Sequence, residues 1–469
     1  MSVIWLDITT IFGWHRPAVG IVRVESECAT YALKQSTTTH RFCRFDTVER
    51  RYLEVTAEEV YNILERIQSY KTTGNVLNDT TIIVKTPIEQ WAKSGIHKII
   101  GVMPTKWRGK VFSFIAARKN SFHAAVRSYR EARLAVNEFA RPSNQSIQYF
   151  PTKKNENFKT YVVPFGKNDV YVSVGLDWDQ KDLGYLYAQK KLVDFKVLLF
   201  CYDIIPVKFP HLCVGDVAAK FAKYFSDVAW SADRILCISE CSRRDLDKLL
   251  RDLGAPVPDM GIIKLGCDLG APEVTDVATS ISNILEQKYI LYVSTIERRK
   301  NHETLYRAYT RLIDAGKSSL PLLVFVGMPG WGVNDLINDL KLDPRIQPYI
   351  RILNHVSDGD LVRLYKNALF TVYPSLYEGW GLPVAESLAH GKYCLASNAA
   401  SIPEVGGDLI EYIDPWNVPE WASRLEWYID NPNHVENKEA EIRSKYQPTR
   451  WDETGANIFA IASLLGRAG

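Results

Sequence analysis

Two glutamates, Glu378 and Glu386, stand eight positions apart around Gly379-Trp380-Gly381-Leu382-Pro383, directly after the apolar run Leu369 to Tyr373. That order reads as strand, glycine turn and helix: Pro383 suits a first helical turn and Gly391 its end, which sets Glu386 within the first turn. Gly379 and Gly381 let the backbone come close to a ligand and leave amides free at the helix N-terminus, where the dipole favours an anion such as a diphosphate. Beside that anion site, Glu386 has the chemistry to accept hydrogen bonds from the two hydroxyls of a ribose. Glu378 precedes the glycines, so its carboxylate can face a sugar. The spacing alone equally fits a helix-capping Glu386 and a solvated loop Glu378, and a bare Gly-x-Gly turn is common in α/β proteins.

The elements that must position these residues follow a βα rhythm, short apolar runs alternating with longer helical patterns. Candidate strands are Val3 to Leu6, Thr81 to Val84, Val170 to Ser173, Lys196 to Phe200 and Arg234 to Ile238. A Gly/Pro/Asp-rich stretch from Leu253 to Thr275 interrupts the rhythm. It restarts with Tyr289 to Val293, Pro321 to Val326, Ile350 to Leu353, Leu369 to Tyr373 and Tyr393 to Ala396, runs apolar enough to be buried on both faces. The boundary therefore falls near residues 270–288, dividing an α/β domain over 1–275 from another over 288–445. Pro448 to Leu465 reads as a lone helix, in a terminal segment 446–469 that can cross back to the first domain. Ligands of open parallel sheets sit beyond the carboxyl ends of the strands, so the loops there should carry the chemistry.

Length and composition agree. With 469 residues the chain exceeds what one core can serve, and 46% apolar with 24% charged residues is ordinary globular composition. The apolar runs are strand-sized and short of a membrane span, and the N-terminus lacks the pattern of a secretory signal, so a cytoplasmic location is expected. The eight cysteines are scattered without metal-ligand spacing and read as reduced core residues; Cys237 and Cys241, one helical turn apart, have no nearby His pair. A net charge of +3 does not imply nucleic-acid binding.

With these residues in view, the chain resembles the retaining glycosyltransferases of family 4. The paired glutamates match that family's motif, and three further stretches follow in the expected order. Val293-Ser-Thr295-Ile-Glu-Arg-Arg299-Lys300-Asn301 resembles a strand-end loop that carries a basic residue onto the donor diphosphate. Gly327 and Gly330-Trp331 follow the next strand, and Ser401-Ile-Pro-Glu404-Val-Gly406-Gly407 is similar to the segment after the glutamates. The resemblance covers roughly residues 230–430 and implies the GT-B fold, two Rossmann-like domains facing each other across a deep cleft, with acceptor bound by the first and nucleotide-sugar donor by the second. It places Lys300 and Arg299 on the leaving diphosphate, Glu378 on the transferred sugar and Glu386 on the ribose. Gly379, Trp380, Gly381 and Leu382 would line the phosphates, Thr295 would lie in the donor loop and Asn354 near the base. Many relatives have Arg where this chain has Thr295. In the N-terminal half the match is looser: Gly20 resembles the glycine that admits the donor phosphate. Asp203, after Tyr202 where relatives often have His, is an acceptor-side candidate and equally a structural loop Asp.

The resemblance further implies transfer with retained configuration, without a metal or other cofactor, of a hexose or deoxyhexose to a glycan or lipid-linked oligosaccharide. The similarity is nearest to bacterial surface-polysaccharide mannosyl- and rhamnosyltransferases. GDP-mannose is the first expectation, with dTDP-rhamnose or a UDP-sugar as alternatives. The letters Asp177-Trp178-Asp179 occur only in the N-terminal half, away from the donor loops. A non-catalytic sugar-nucleotide-binding scaffold is the competing class; an epimerase or phosphorylase is separated by product analysis, and a dehydrogenase is disfavoured because no Gly-x-Gly-x-x-Gly follows the first strand. Between Lys106 and Arg133, eight Lys or Arg and one acid are interleaved with aromatic residues, a pattern that fits peripheral contact with an anionic membrane and equally a solvated basic helix face.

Overall fold

The computed structural model describes residues 2–16, 18–35, 39–72, 163–213, 217–269, 279–330 and 332–467. The candidate strand Thr81 to Val84, the basic aromatic stretch 106–133 and Trp331 lie outside the described residues. Short, nearly continuous apolar runs cannot expose either face, so they assemble into sheets covered on both sides by helices.

The first sheet has the order β3-β2-β1-β4-β5-β6-β7, with β1 (Ile4–Asp7), β2 (His40–Asp46), β3 (Arg51–Val55), β4 (Val170–Ser173), β5 (Lys196–Cys201), β6 (Arg234–Cys237) and β7 (Asp259–Ile262). Its strands pair in parallel except β2 with β3, which are antiparallel. The second sheet is parallel throughout, in the order β10-β9-β8-β11-β12-β13, with β8 (Tyr289–Val293), β9 (Leu322–Val326), β10 (Ile350–Leu353), β11 (Thr371–Tyr373), β12 (Cys394–Ser397) and β13 (Tyr412–Ile413). Parallel pairing needs a crossover, which the intervening helices supply. Their starts are fixed locally: the hydroxyls of Ser239 and Ser357 accept the amides of Ser242 at 3.0 Å and Asp360 at 3.1 Å.

Each sheet is a plate between two apolar layers. Leu6, Val172 and Leu198 pack on one side of the first, Trp5, Tyr171 and Leu199 on the other, as the two-residue period requires. In the second sheet, Ile290, Tyr292 and Phe325 oppose Tyr289, Leu291 and Val324. Ile350 to Leu353, expected to be buried on both faces, is the edge strand β10 and only Ile350 is fully buried. The edge position leaves one flank without a neighbouring strand.

The final helix, Trp451–Arg467, follows every strand of the second sheet yet packs on the first. Ile458, Phe459 and Ala462 sit in the layer that holds Ile4 and Val170. The return is anchored by close approaches that only glycine permits: a Cβ on Gly266 would lie 2.5 Å from the Trp451 ring, and one on Gly455 would lie 2.6 Å from Tyr31. The described residues of both sheets belong to one compact unit. Among the described residues, no helix is long and apolar enough to cross a membrane.

Candidate active site

β8 and β11 are neighbours in the second sheet, so the loops leaving their carboxyl ends start side by side. The first forms a tight turn, Arg298–Lys300, ended by Asn301 in the left-handed region (φ 58°). Asn301 then locks the two loops together, its Nδ2 donating to the carbonyls of Pro374 at 3.1 Å and Pro415 at 2.8 Å. The Leu376 amide completes the stitch by donating to the Arg299 carbonyl at 2.8 Å. Ser401 fixes the far side, its hydroxyl donating to the carbonyls of both Glu378 and Trp380 at 2.9 Å.

Between these loops lies one carboxylate held by two cations. Glu378 is 7% exposed; Arg299 Nη1 approaches its Oε2 at 2.7 Å and Lys300 Nζ its Oε1 at 2.6 Å. Ser375 and Tyr373 also donate to Oε1, at 2.6 and 3.1 Å. Burial pushes the Glu378 carboxyl up, but Arg299 and Lys300 more than offset this and hold it at about 2. Lys300 is shifted down by burial and by Arg299, with Glu378 only partly restoring it. Arg299 remains a cation, because Glu378 and Asp203 outweigh its desolvation. Glu297 also stands 3.8 Å from Arg299, so the cluster is anchored with its two cations shared among Glu378, Glu297 and Asp203.

Asp203, at the end of β5, approaches from the first sheet. Burial raises its carboxyl against the pull of Arg299, and its Oδ1 accepts the Ile205 amide at 2.9 Å. The two halves touch at Gly379, where a Cβ would stand 2.3 Å from the Tyr202 carbonyl, so a side chain has no room. Ser242 bridges the same point, donating to the carbonyls of Tyr202 at 3.0 Å and Gly379 at 3.2 Å. A cavity of about 270 Å³ opens beside this contact, walled by Trp178, Tyr202 and Phe221 and rimmed by Asp203, Glu297 and Arg299. Tyr202 turns its hydroxyl away to the Val174 carbonyl at 2.5 Å, a structural use of the position.

Gly381 stands at the helix N-terminus with φ 115° and no side-chain cap, and the helix runs Leu382–Ala389 with Pro383 in its first turn as read; Glu386, expected in that turn, is the fifth helical residue and lies just beyond it, because the helix begins at Leu382. Of its first amides, Val384 and Ala385 donate to the Gly381 carbonyl at 3.0 and 3.2 Å and Pro383 has no N–H, which leaves the Leu382 amide for a ligand. Glu386, 9% exposed, accepts a hydrogen bond from Tyr365 at 3.0 Å, and the Tyr365 ring stacks on His390 at 5.4 Å. Burial raises its carboxyl, opposed by Arg23 and Tyr365. Trp380 packs into apolar layers of both sheets with its Nε1 buried and unpartnered. Gly20 likewise heads an uncapped helix, Ile21–Lys34, at φ 54°.

The structure therefore joins Arg299, Lys300, Glu378 and Gly379 and sets Glu386 in a separate pairing on the helix that follows. Thr295 and Asn354 are both exposed and outside the Glu378 cluster, Asn354 at the end of the edge strand. Sequence reasoning missed Tyr373 and Ser375, which read as strand end and loop, and missed Tyr365 and Arg23, whose proximity to Glu386 depends on topology. It missed Tyr377 as well, whose hydroxyl accepts from Lys208 at 2.7 Å, contacts the Cys241 sulfur at 3.3 Å and bonds to Asp245. Glu404 is a second tie between the halves, its carboxylate accepting the amides of Glu240 at 2.7 Å and Cys241 at 2.8 Å.

Comparison with known proteins places this geometry in context. The family described as Glycosyl transferases group 1 matches residues 278–446. The O-antigen chain mannosyltransferase B of Escherichia coli is 34% identical over 268 residues, covering 56% of this chain and 69% of that protein. The serotype-specific mannosyltransferase WbdA of Escherichia coli is 27% identical over 198 residues, 40% of this chain but only 24% of its own length. Among solved structures, a glycosyltransferase from Rickettsia africae superposes with a TM-score of 0.54 over 100% of this chain and 99% of its own, at 12% identity, a likeness of fold alone.

Proposed function

The chain belongs to the group 1 glycosyl transferases and has the GT-B fold, and from that premise we propose that it transfers mannose from GDP-mannose, with retained configuration, to a glycan or lipid-linked oligosaccharide during surface polysaccharide synthesis. The observation that carries the reading is the Arg299–Glu378–Lys300 cluster beside the open N-terminus of helix Leu382–Ala389. A leaving diphosphate develops negative charge as the glycosidic bond breaks. Fixed cations and helix amides held before the reaction stabilise that charge without reorganisation. Glu378, ionised at neutral pH, orients the two cations and has acceptor capacity left for hydroxyls of the transferred sugar. Glu386 would take the ribose and Asp203 would face the acceptor. The mannosyl donor and the polysaccharide setting rest on the names of the two Escherichia coli relatives.

Arg299, Lys300 and the helix amides supply the charge that a divalent ion provides elsewhere, so turnover is expected to persist in EDTA; collapse in chelator contradicts that part of the reading. The donor assignment is tested by screening GDP-, UDP- and dTDP-sugars for slow hydrolysis and thermal stabilisation, with Glu386→Ala alongside. Stabilisation and hydrolysis by GDP-mannose in the wild type, lost in the variant, is the expected result. Binding of another nucleotide sugar renames the donor, and binding of none favours the scaffold alternative.

A further inference from the structure

Arg23 lies in the first turn of helix Ile21–Lys34, three residues after Gly20, on the half of the molecule that faces the Glu386 helix. It is 9% exposed, and its partners are few. Nη2 donates to the Asp268 carbonyl at 3.2 Å, while the neighbouring carboxylates stand beyond hydrogen-bond reach, Asp358 at 3.7 Å and Glu27 at 3.9 Å. Its guanidinium lies over the Trp451 ring, 5.7 Å from the centroid. Nε makes no hydrogen bond, and neither does the Nε1 of that tryptophan. Buried donors left unpaired are costly, and two meeting at one place call for an acceptor.

The charge balance of the cleft points the same way. Arg299 and Lys300 both spend a contact on Glu378 and Arg299 a further one on Glu297 at 3.8 Å, so the two cations are already partly committed when a nucleoside diphosphate arrives. On the opposite side the helix amides after Gly20 are uncapped, and Arg23 stands next to them. We propose that Arg23 donates to the phosphates of the bound nucleotide, a guanidinium supplied by the first half of the molecule to a ligand held by the second. This rests on the donor-binding reading above and adds a residue to it. Guanidinium is suited to the task because its fork reaches two phosphate oxygens at once and stays charged when buried. Arg23 also opposes the upward push of burial on the neighbouring Glu386 carboxyl.

The test measures affinity of the full chain for GDP and UDP by calorimetry, and for the nucleoside of the tighter one by displacement, in wild type, Arg23→Gln, Arg23→Lys and Glu386→Gln. A thermal melt checks that the Gln variant is folded. Loss of a charge-assisted contact predicts that Arg23→Gln weakens the diphosphate about tenfold or more and leaves the nucleoside unchanged. Arg23→Lys keeps the charge without the fork and should fall between the two, which preserves the test if the Gln variant does not fold. Equal weakening of diphosphate and nucleoside, or no weakening of either, overturns the assignment while Glu386→Gln still loses nucleoside. A wild type that binds no nucleotide overturns the donor-binding reading itself.

Discussion

Each sheet carries a buried ion cluster at the carboxyl ends of its central strands, and the two differ in how far they are closed. In the first, Lys181 Nζ lies 2.8 Å from both Asp7 and Asp177 and 2.6 Å from the Ser173 hydroxyl, with all three charged side chains at most 3% exposed. Tyr171 closes it by donating to Asp7 at 2.7 Å. Two acids surround one base, every strong contact is made, and Asp177 and Asp7 hold the lysine charged against its burial. In the second, Arg299 and Lys300 flank Glu378, with Glu297 3.8 Å from Arg299; the two cations keep 18% and 13% of their side-chain surface open, and burial with Arg299 pulls the lysine down. A saturated cluster is a strut. One whose cations stay partly open has donors left for an anionic ligand, and perturbed ionisation at an open face is the usual mark of a working site.

Substitutions should separate the two clusters. Lys181→Met leaves Asp7 and Asp177 buried without a counter-charge and is expected to cost about 3–5 kcal/mol in urea unfolding, with the folded protein keeping its nucleotide affinity. Glu378→Gln should instead lower turnover by about 10²–10³-fold, as removing a fixed electrostatic element of an active site does, while nucleotide affinity changes little. Reversal of these two patterns would erase the distinction.

Acid and base should act on the clusters in opposite directions. Beside the first, Glu25 is fully buried with Oε2 unpartnered, and burial raises its carboxyl to about 8. The folded chain then keeps a proton that the unfolded chain releases above pH 4.5, so this group makes stability fall as pH rises from about 4.5 to 8. Glu378, held at about 2, is ionised where the unfolded chain is protonated, so its contribution is complete above pH 4.5 and is lost as pH falls toward 2. Unfolding of Glu25→Gln should lose the first slope only, and of Glu378→Gln the second only. The smallest effect is expected at Tyr377→Phe, which removes the hydroxyl that ties the Glu378 loop to Lys208 and Asp245; turnover should fall about three- to tenfold with the fold intact.

The sequence made the second cluster more legible than the first. Glu378, Glu386 and the glycines between them lie on one strand-turn-helix unit, so local spacing and a family resemblance reach them together. Asp7, Asp177 and Lys181 are brought together by strand order and carry no local signature beyond one helical turn between the last two. The same limit explains the missed strands. β2 reads His-Arg-Phe-Cys-Arg-Phe-Asp, mixing charged with apolar residues without a strict two-residue period, β7 is an edge strand of four residues with a central glycine, and β13 has only two. Pro448 to Leu465 was legible as a helix, but its seat on the first sheet depends on Gly266 and Gly455 making room for Trp451 and against Tyr31, a steric fit that no periodicity encodes.

The most direct test of the account is proton NMR of the sugar product formed from GDP-mannose and a mannosyl acceptor in EDTA, with Glu378→Gln alongside. The account predicts an α-linked product from the wild type and about 10²–10³-fold less from the variant. A β-linked product, or turnover unchanged by the variant, would contradict it.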